Sequence, residues 1–169
     1  GAGVSTASGI PDYRDLEGGW KRPPPVTLQA FTGSATTRAR YWARSLVGWR
    51  RFGAAQPNDT HRALAKLEGD GRIEVLLTQN VDGLHQAAGT SRLIELHGAI
   101  HRVRCLQCGA LEPRAALQER LQRLNTGWPG PEAAAASLAP DGDADIDAAA
   151  LASFRVAPCL ACGGVLKPD

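Results

Sequence analysis

The sequence predicts an α/β fold in which a parallel β-sheet carries a smaller, cysteine-bearing module. Two short apolar runs, "RIEVLLTQN" at 72–80 and "RLIELHG" at 92–98, each follow a segment with helical character. Strands that are buried on both faces of a parallel sheet have this composition, and helices make the connections between them. Four cysteines in two C-x-x-C pairs then indicate a separate metal-binding unit.

The other elements follow from capping residues and periodicity. Helices are predicted at 34–49, at 58–69, briefly at 82–89 and at 113–125, with a further strand at 101–109 running into the first cysteine pair. Ser34 is the expected cap of the first helix, and Asn58 or Asp59 that of the second. The apolar side of the second helix is predicted to be Ala63, Leu64 and Leu67. Gly, Pro and Ala punctuation predicts an irregular segment at 15–31 and an inserted segment at 127–154.

Composition limits the classes of function. With 169 residues, 43% of them hydrophobic, the chain is long enough for one core, and a net charge of +2 gives no strong field for nucleic acid or an anionic membrane. The longest apolar stretches, such as 73–77, are far below the roughly 20 residues of a membrane span. Five arginines at 38–51 are interleaved with aromatic residues, which indicates a solvated helix face, with nucleic-acid binding as the less favoured alternative.

The first 14 residues, "GAGVSTASGIPDYR", form a glycine-rich turn of the kind that receives phosphate. The ordinary dinucleotide fingerprint would need Gly where Thr6 stands, so a bare turn remains open on the glycines alone. The turn is followed by an acid, an aromatic residue and an arginine. These three, Asp12, Tyr13 and Arg14, are suited to ribose and phosphate contacts.

Two further polar sites stand at predicted strand ends. Gln79, Asn80 and Asp82 follow the first strand, where amides and an acid can recognise another amide, although "NVDG" is equally compatible with an Asx turn. His97 ends the second strand beside Gly98, a suitable place for a general base, with a structural histidine as the alternative. The other histidines fall in helical segments or after the next strand, and they are His61, His85 and His101.

The cysteines predict a structural zinc site. Cys105 and Cys108 are separated by two residues, as are Cys159 and Cys162, and 50 residues lie between the pairs. Four thiolates complete a tetrahedral shell, so the metal would hold the fold together and perform no chemistry. The low number of cysteines argues against a secreted disulfide scaffold and favours a reducing compartment.

In order, "GAGVSTASGIPDYR", "TQNVDGLH", "ELHG", "CLQC" and "CLACGGVLKPD" resemble the sirtuin (Sir2) family of NAD-dependent protein deacylases, and the resemblance covers the whole chain. "RYWARSLVGW", "PRAALQERLQRLN" and "LAPDGD" further resemble the class II sirtuins, which include lipoamidases and ADP-ribosyltransferases. The resemblance implies a Rossmann-like core at 1–15, 53–102 and 165–169, a helical module at 16–52, and a zinc module with an insertion at 103–164.

The resemblance also implies the site residues. The implied NAD contacts are Gly1, Ala2, Gly3, Ser5, Ile10, Asp12, Tyr13, Arg14, Gln79, Asn80, Asp82 and His97. His97 would be the base on the ribose, with Asn80 and Asp82 as its catalytic companions in the nicotinamide pocket. The acyl group of a protein lysine would pass to ADP-ribose, with NAD consumed and nicotinamide released. Tyr41 and Arg44 have the spacing of sirtuins that select acidic acyl groups, although both could equally cover the helix surface.

Alternatives to deacylation stay open at this point. ADP-ribosyl transfer and a non-catalytic zinc module that binds a partner are both compatible, whereas a nicotinamide oxidoreductase is disfavoured by Thr6. The family's first strand before Gly1 and everything after Asp169 are absent, so residues 1–169 alone are expected to be poorly soluble or inactive. We expect a cytoplasmic location in a bacterium or a mitochondrial one in a eukaryote, acylated protein lysines as partners, and neither nucleic acid nor membrane binding.

Overall fold

The computed structural model describes residues 1–13, 17–19, 21, 25–128, 151 and 153–169. The predicted contact of Arg14 with the cofactor and nearly all of the inserted segment therefore lie outside the described residues. None of the helices in these ranges has both the length and the apolar character that a membrane span requires.

A two-stranded parallel sheet confirms the predicted α/β class. Strand β1, Leu76–Thr78, pairs with β2, Leu93–Glu95, so that Leu76 lies beside Leu93 and Thr78 beside Glu95. The prediction that these strands are buried on both faces is wrong for this chain, because Leu77 is 59% exposed and Ile94 48% exposed. Periodicity reports that a strand is apolar, but it cannot report what covers it.

Five α-helices of the described part of the chain accompany the strands. They are α1 at Leu28–Gly33, α2 at Ala35–Phe52, α3 at Asp59–Gly69, α4 at Leu84–Ala87 and α5 at Arg114–Leu124. Ser34 Oγ accepts the Thr37 N–H, as expected of a cap, and Asn58 caps α3. Helix α1 was missed in the segment predicted as irregular, although Thr27 caps it by accepting the Ala30 N–H.

Helix α3 presents a different side to the protein from the one predicted. Its fully buried residues are His61 and Glu68, whereas Ala63 is exposed and Leu64 half-buried. Glu68 is buried because its carboxylate accepts the Ser91 and Arg92 N–H groups, at 3.1 and 2.6 Å. Polar side chains that are bonded in this way carry no hydrophobic signal in the sequence.

The cysteine-bearing unit is a three-stranded antiparallel sheet of order β4-β3-β5. Strand β3 is Arg102–Cys105, β4 is Leu111–Pro113 and β5 is Leu166–Pro168. The sequence did not predict β4, and residues 165–169, expected in the Rossmann-like core, pair instead with β3 through Leu166 and Cys105. The chain reverses at the second cysteine pair, which returns β5 alongside β3.

Among the described residues, two apolar clusters hold the elements together. The larger joins α1, α2, α5 and the antiparallel sheet, and its bulkiest members are Phe31, Trp42, Leu46, Val103, Leu117, Leu121, Phe154 and Leu166. The smaller contains Ile10, Phe52, Leu84 and Ile100 and lies against the glycine-rich turn. Because the smaller cluster includes residues from both 1–15 and 98–102, it brings the two ends of the predicted site together.

Candidate active site

The glycine-rich turn is a 3-10 helix, Ala2–Ser8, which ends at Gly9 with φ +83°. A Cβ built on Gly1 or Gly3 would meet nothing within 4 Å, so packing inside the protein does not explain these glycines. Both residues are exposed, and they leave an open backbone surface that a ligand can approach closely.

Ser5 joins this turn to the end of β1. Its hydroxyl is fully buried and donates to Asp82 Oδ2 at 2.6 Å. Asn80 Nδ2 donates to Ser5 Oγ at 3.1 Å and to Asp82 Oδ2 at 3.2 Å. The structure therefore brings together three of the predicted site residues from two distant stretches of the chain, and we call them the Ser5–Asn80–Asp82 cluster.

Asp82 also forms the Asx turn that the sequence left as an alternative. Its Oδ1 accepts the N–H of Leu84, the first residue of α4, at 2.9 Å. Gly83 follows with φ +73°, and a Cβ there would lie 3.3 Å from Nδ1 of His101. One carboxylate oxygen thus serves the turn, while the other faces the cluster.

His97 opens onto a cavity of about 250 Å³. The wall opposite it is mainly apolar and includes Val26, Phe31, Tyr41 and Val81. Tyr41 therefore lines the same cavity as His97, but Arg44, one turn further along α2, is not among the lining residues of the described part of the chain. The apolar residues 25–31 of this wall were missed because the sequence marks them only as an irregular segment.

The remaining predicted contacts occupy the edge of the site. Ile10 is buried in the smaller apolar cluster, and Gln79 is exposed. The Asp12 carboxylate pairs with Lys21 Nζ at 2.6 Å, and this hydrogen bond lowers the pKa of Asp12. Tyr13 is half-buried, and its backbone carbonyl accepts the Lys21 N–H at 3.0 Å.

Two buried histidines, which the sequence did not single out, lie behind the cluster. The rings of His61 and His85 are 4.8 Å apart between centroids, and burial lowers the pKa of both. His61 Nδ1 accepts the Asn58 N–H at 3.3 Å and so completes a capping box at the start of α3. The sequence signal for His61 was its position three residues after Asn58, since this is the spacing of a capping box.

The four cysteines converge as predicted. All four Sγ atoms lie within 4.8 Å of one another, with Cys105 and Cys162 at 3.5 Å and Cys108 and Cys159 at 3.8 Å. A tetrahedral shell with Zn–S bonds of about 2.3 Å has sulfur–sulfur edges of about 3.8 Å, so the set fits zinc. The backbone N–H groups of Cys108 and Gln107 lower the pKa of Cys105, whereas the neighbouring cysteines raise the pKa of Cys162, so the metal-free cluster favours a thiolate at Cys105 but not at Cys162.

An open glycine turn, a strand-end cluster of amide and acid, and a separate four-thiol ribbon are features of α/β proteins that bind nucleotides and carry a structural metal site. The model of the Sir2 family matches residues 1–169, and the chain belongs to that family. This result confirms the resemblance to sirtuins that was drawn from the five motifs.

Individual relatives agree with the family assignment. The chain is 63% identical over 169 residues to an NAD-dependent protein deacetylase of Xanthomonas axonopodis pv. citri (strain 306), covering 100% of the chain and 57% of that protein. A solved complex of Sir2 with a p53 peptide and NAD⁺ gives a TM-score of 0.63 at 28% identity, covering 99% of this chain and 55% of the other. A Sir2 homologue bound to 2′-O-acetyl ADP ribose gives 0.61 at 33% identity, covering 99% and 54%.

Proposed function

We propose that this chain forms part of an NAD-dependent protein-lysine deacetylase, which transfers the acetyl group to ADP-ribose and releases nicotinamide. The contact of Ser5 with Asp82, 2.6 Å long, carries the proposal. It sets an open glycine turn, suited to phosphate, beside amide and acid groups suited to a carboxamide. The names of the relatives and the ligands of the solved homologues support the same activity.

On the phosphate side, the exposed backbone of Gly1 and Gly3, with the intervening Ala2, would approach the pyrophosphate of NAD. Ser5 has a different part, because its hydroxyl already donates to Asp82 and accepts from Asn80. It holds the turn against the strand end, so the phosphate surface and the amide-recognising groups keep a fixed separation.

On the nicotinamide side, Asn80 and Asp82 offer both hydrogen-bond donors and acceptors, as recognition of a carboxamide requires. Gln79 is exposed at the same strand end, so packing in the core does not fix its side chain. Ile10 is 3% exposed and provides the apolar floor for a ring. When bound, NAD supplies the ribose carbon that loses nicotinamide and accepts the acyl oxygen.

His97 would act as the base by accepting a proton from a ribose hydroxyl, which strengthens that oxygen as a nucleophile toward the acyl carbon. Its exposed side chain at the mouth of the cavity is compatible with this role. The apolar cavity walls, including Phe31 and Tyr41, would enclose the acylated lysine and exclude water from the reacting atoms.

Preference for an acidic acyl group is a finer proposal on Tyr41 and Arg44. A guanidinium and a phenol can hold a carboxylate by charge-assisted hydrogen bonds. Tyr41 lines the cavity, so Arg44 would have to reach in from the next helical turn. The proposal fails if Arg44→Ala leaves the ratio of succinyl-lysine to acetyl-lysine turnover unchanged in the full-length protein.

We infer that one structural zinc ion is held by Cys105, Cys108, Cys159 and Cys162. The four thiols form no disulfide, and their separations match a tetrahedral thiolate site. Unpaired thiols and bacterial relatives support a reducing bacterial cytoplasm as the compartment.

The test uses the full-length protein with NAD and a panel of acyl-lysine peptides, with products identified by mass spectrometry. We expect nicotinamide and O-acetyl-ADP-ribose in equal amounts, and loss of both from His97→Ala but not from His101→Ala. A peptide or protein that gains ADP-ribose without deacetylation would favour the transferase alternative. Absence of nicotinamide release from all peptides would refute the proposed function.

A further inference from the structure

The turn Leu96–Ala99, which carries His97, is held through its backbone. Within the described ranges, the His97 imidazole makes no hydrogen bond or ion pair. The Leu96 N–H donates to the Thr78 carbonyl at 2.8 Å, and the Ala99 N–H donates to the Asp169 carbonyl at 3.2 Å. The position of the imidazole therefore depends on whatever fixes the two ends of this turn.

Asp169 holds the far end of the turn. A Cβ at Gly98 would overlap the Asp169 carbonyl oxygen, and Gly98 has φ +75°, so the two backbones touch directly. The Asp169 N–H also donates to the Arg102 carbonyl at 3.1 Å. Movement of Asp169 would move Gly98, and with it the neighbouring His97.

Arg102 connects Asp169 with Glu95, the residue that immediately precedes the turn. Its Nε donates to Asp169 Oδ2 and its Nη2 donates to Glu95 Oε2, both at 2.9 Å. Glu95 is the last residue of β2, so a single rigid guanidinium bridges the two ends of the turn. The Glu95 and Asp169 side chains are only 15% and 12% exposed, which limits the screening of both pairs by solvent.

The charges of this bridge are well matched. The hydrogen bond to Asp169 raises the pKa of Arg102, so the guanidinium remains charged. Burial raises the pKa of Asp169, but hydrogen bonds from Arg104 and Arg102 outweigh it and hold that pKa below its usual value. Asp169 also lines the cavity onto which His97 opens.

We propose that Arg102 and Asp169 are positioning residues for His97: their ion pair, anchored to Glu95, fixes the turn from which the imidazole reaches the ribose. The inference rests on the proposed function, in which His97 is the base. Arg104 provides a matched comparison. It donates to the other Asp169 oxygen, at 2.7 Å, but has no described bond to Glu95 and does not span the turn.

The test compares Arg102→Gln, Asp169→Asn and Arg104→Gln in the full-length protein, with NAD and an acetyl-lysine peptide. A misplacement of the base by about 1 Å predicts a kcat about tenfold or more lower in the first two variants. In Arg102→Gln, KM should change by less than about twofold, because Arg102 is not among the described residues that line the cavity.

A second measurement is independent of activity. Hydrogen exchange at the Ala99 amide should become about tenfold faster in Arg102→Gln and Asp169→Asn, and stay near the wild-type rate in Arg104→Gln. Unchanged exchange and kcat in Arg102→Gln, or an equal loss in all three variants, would overturn the positioning role. A wild-type protein that releases no nicotinamide would overturn the proposed function and the role of His97, even if the exchange result holds.

Discussion

Acidification should destabilise this protein through the buried pair His61 and His85. His61 is fully buried and His85 is 5% exposed, and burial lowers the pKa of each below its value in the unfolded chain. The unfolded state therefore binds more protons as the pH falls below about 6.5, and stability is lost in that range. Above it both states are neutral, and the stability is fully present.

Charged groups near the pair also shift the pKa values of His61 and His85. Asp82 raises the pKa of both histidines, but Arg62 opposes it at His61, and His61 opposes it at His85. Protonated His61 would also turn Nδ1 into a donor facing the Asn58 N–H, which removes one half of the capping box. Desolvation and this clash both favour the neutral ring.

The magnitude follows from proton linkage. Between pH 7.5 and 5.5, a histidine that stays neutral when folded loses at most about 1.4 kcal/mol of stability, so the pair loses at most about 2.7 kcal/mol. For a protein of roughly 150–250 residues, a loss of this size lowers the melting temperature by at most about 5–11 °C. Carboxylates titrating in the same range also contribute, so the comparison must be made between variants.

The assay is thermal unfolding of the full-length protein at both pH values, for wild type, His61→Asn with His85→Asn, and His101→Asn. The double variant should be less stable at pH 7.5 but lose less stability on acidification than wild type. His101 is exposed, so its variant should behave as wild type. If wild type and the double variant lose equal stability, the pair is not the source of the pH dependence.

Three further changes test the site and its support. Asp82→Asn should keep the hydrogen bond from the Leu84 N–H but place an amide N–H against the Ser5 hydroxyl. The free energy of unfolding should therefore fall by about 1–3 kcal/mol, and calorimetry should show a lower affinity for NAD. Gly98→Ala should lower the free energy of unfolding by about 1–3 kcal/mol more than Gly89→Ala does. Both glycines have a positive φ, but of these two only Gly98 would bring its Cβ onto a carbonyl oxygen. A chelator should remove about one zinc ion per chain, as measured by mass spectrometry of metals, and should lower the melting temperature. Metal-free protein with an unchanged melting temperature would contradict the structural role of zinc.

Local patterns predicted the parts of this fold whose physics is local. The two C-x-x-C pairs each form a knuckle from adjacent residues, so their spacing was enough to predict the thiol cluster. The parallel pair was predicted because apolar runs mark its strands. Strand β4, in contrast, has only three residues, with Leu111 53% exposed, and so carries neither length nor alternation as a signal.

Long-range contacts were beyond the sequence. Nothing near Ser5 or Asp82 indicates that a hydroxyl and a carboxylate 77 residues apart will bond. Similarly, Arg102 and Asp169 are 67 residues apart, and their pairing depends on β5 returning beside β3. The candidate residues could be named from motifs, but the bonds that fix their mutual positions could not.

At Asp82 the structural and the functional interpretations of "NVDG" are compatible with each other. Its two oxygens are divided, one on the Leu84 N–H of the turn and one toward Ser5 and Asn80. The Asx turn fixes the orientation of the carboxylate, and only an oriented carboxylate can present its second oxygen to the cluster. Under the proposed function one residue would serve both the turn and the ligand, because the hydrogen bond that stabilises the turn also limits the freedom of the carboxylate that would meet the ligand. The same logic applies at His97, whose imidazole is placed by the bonds of its turn.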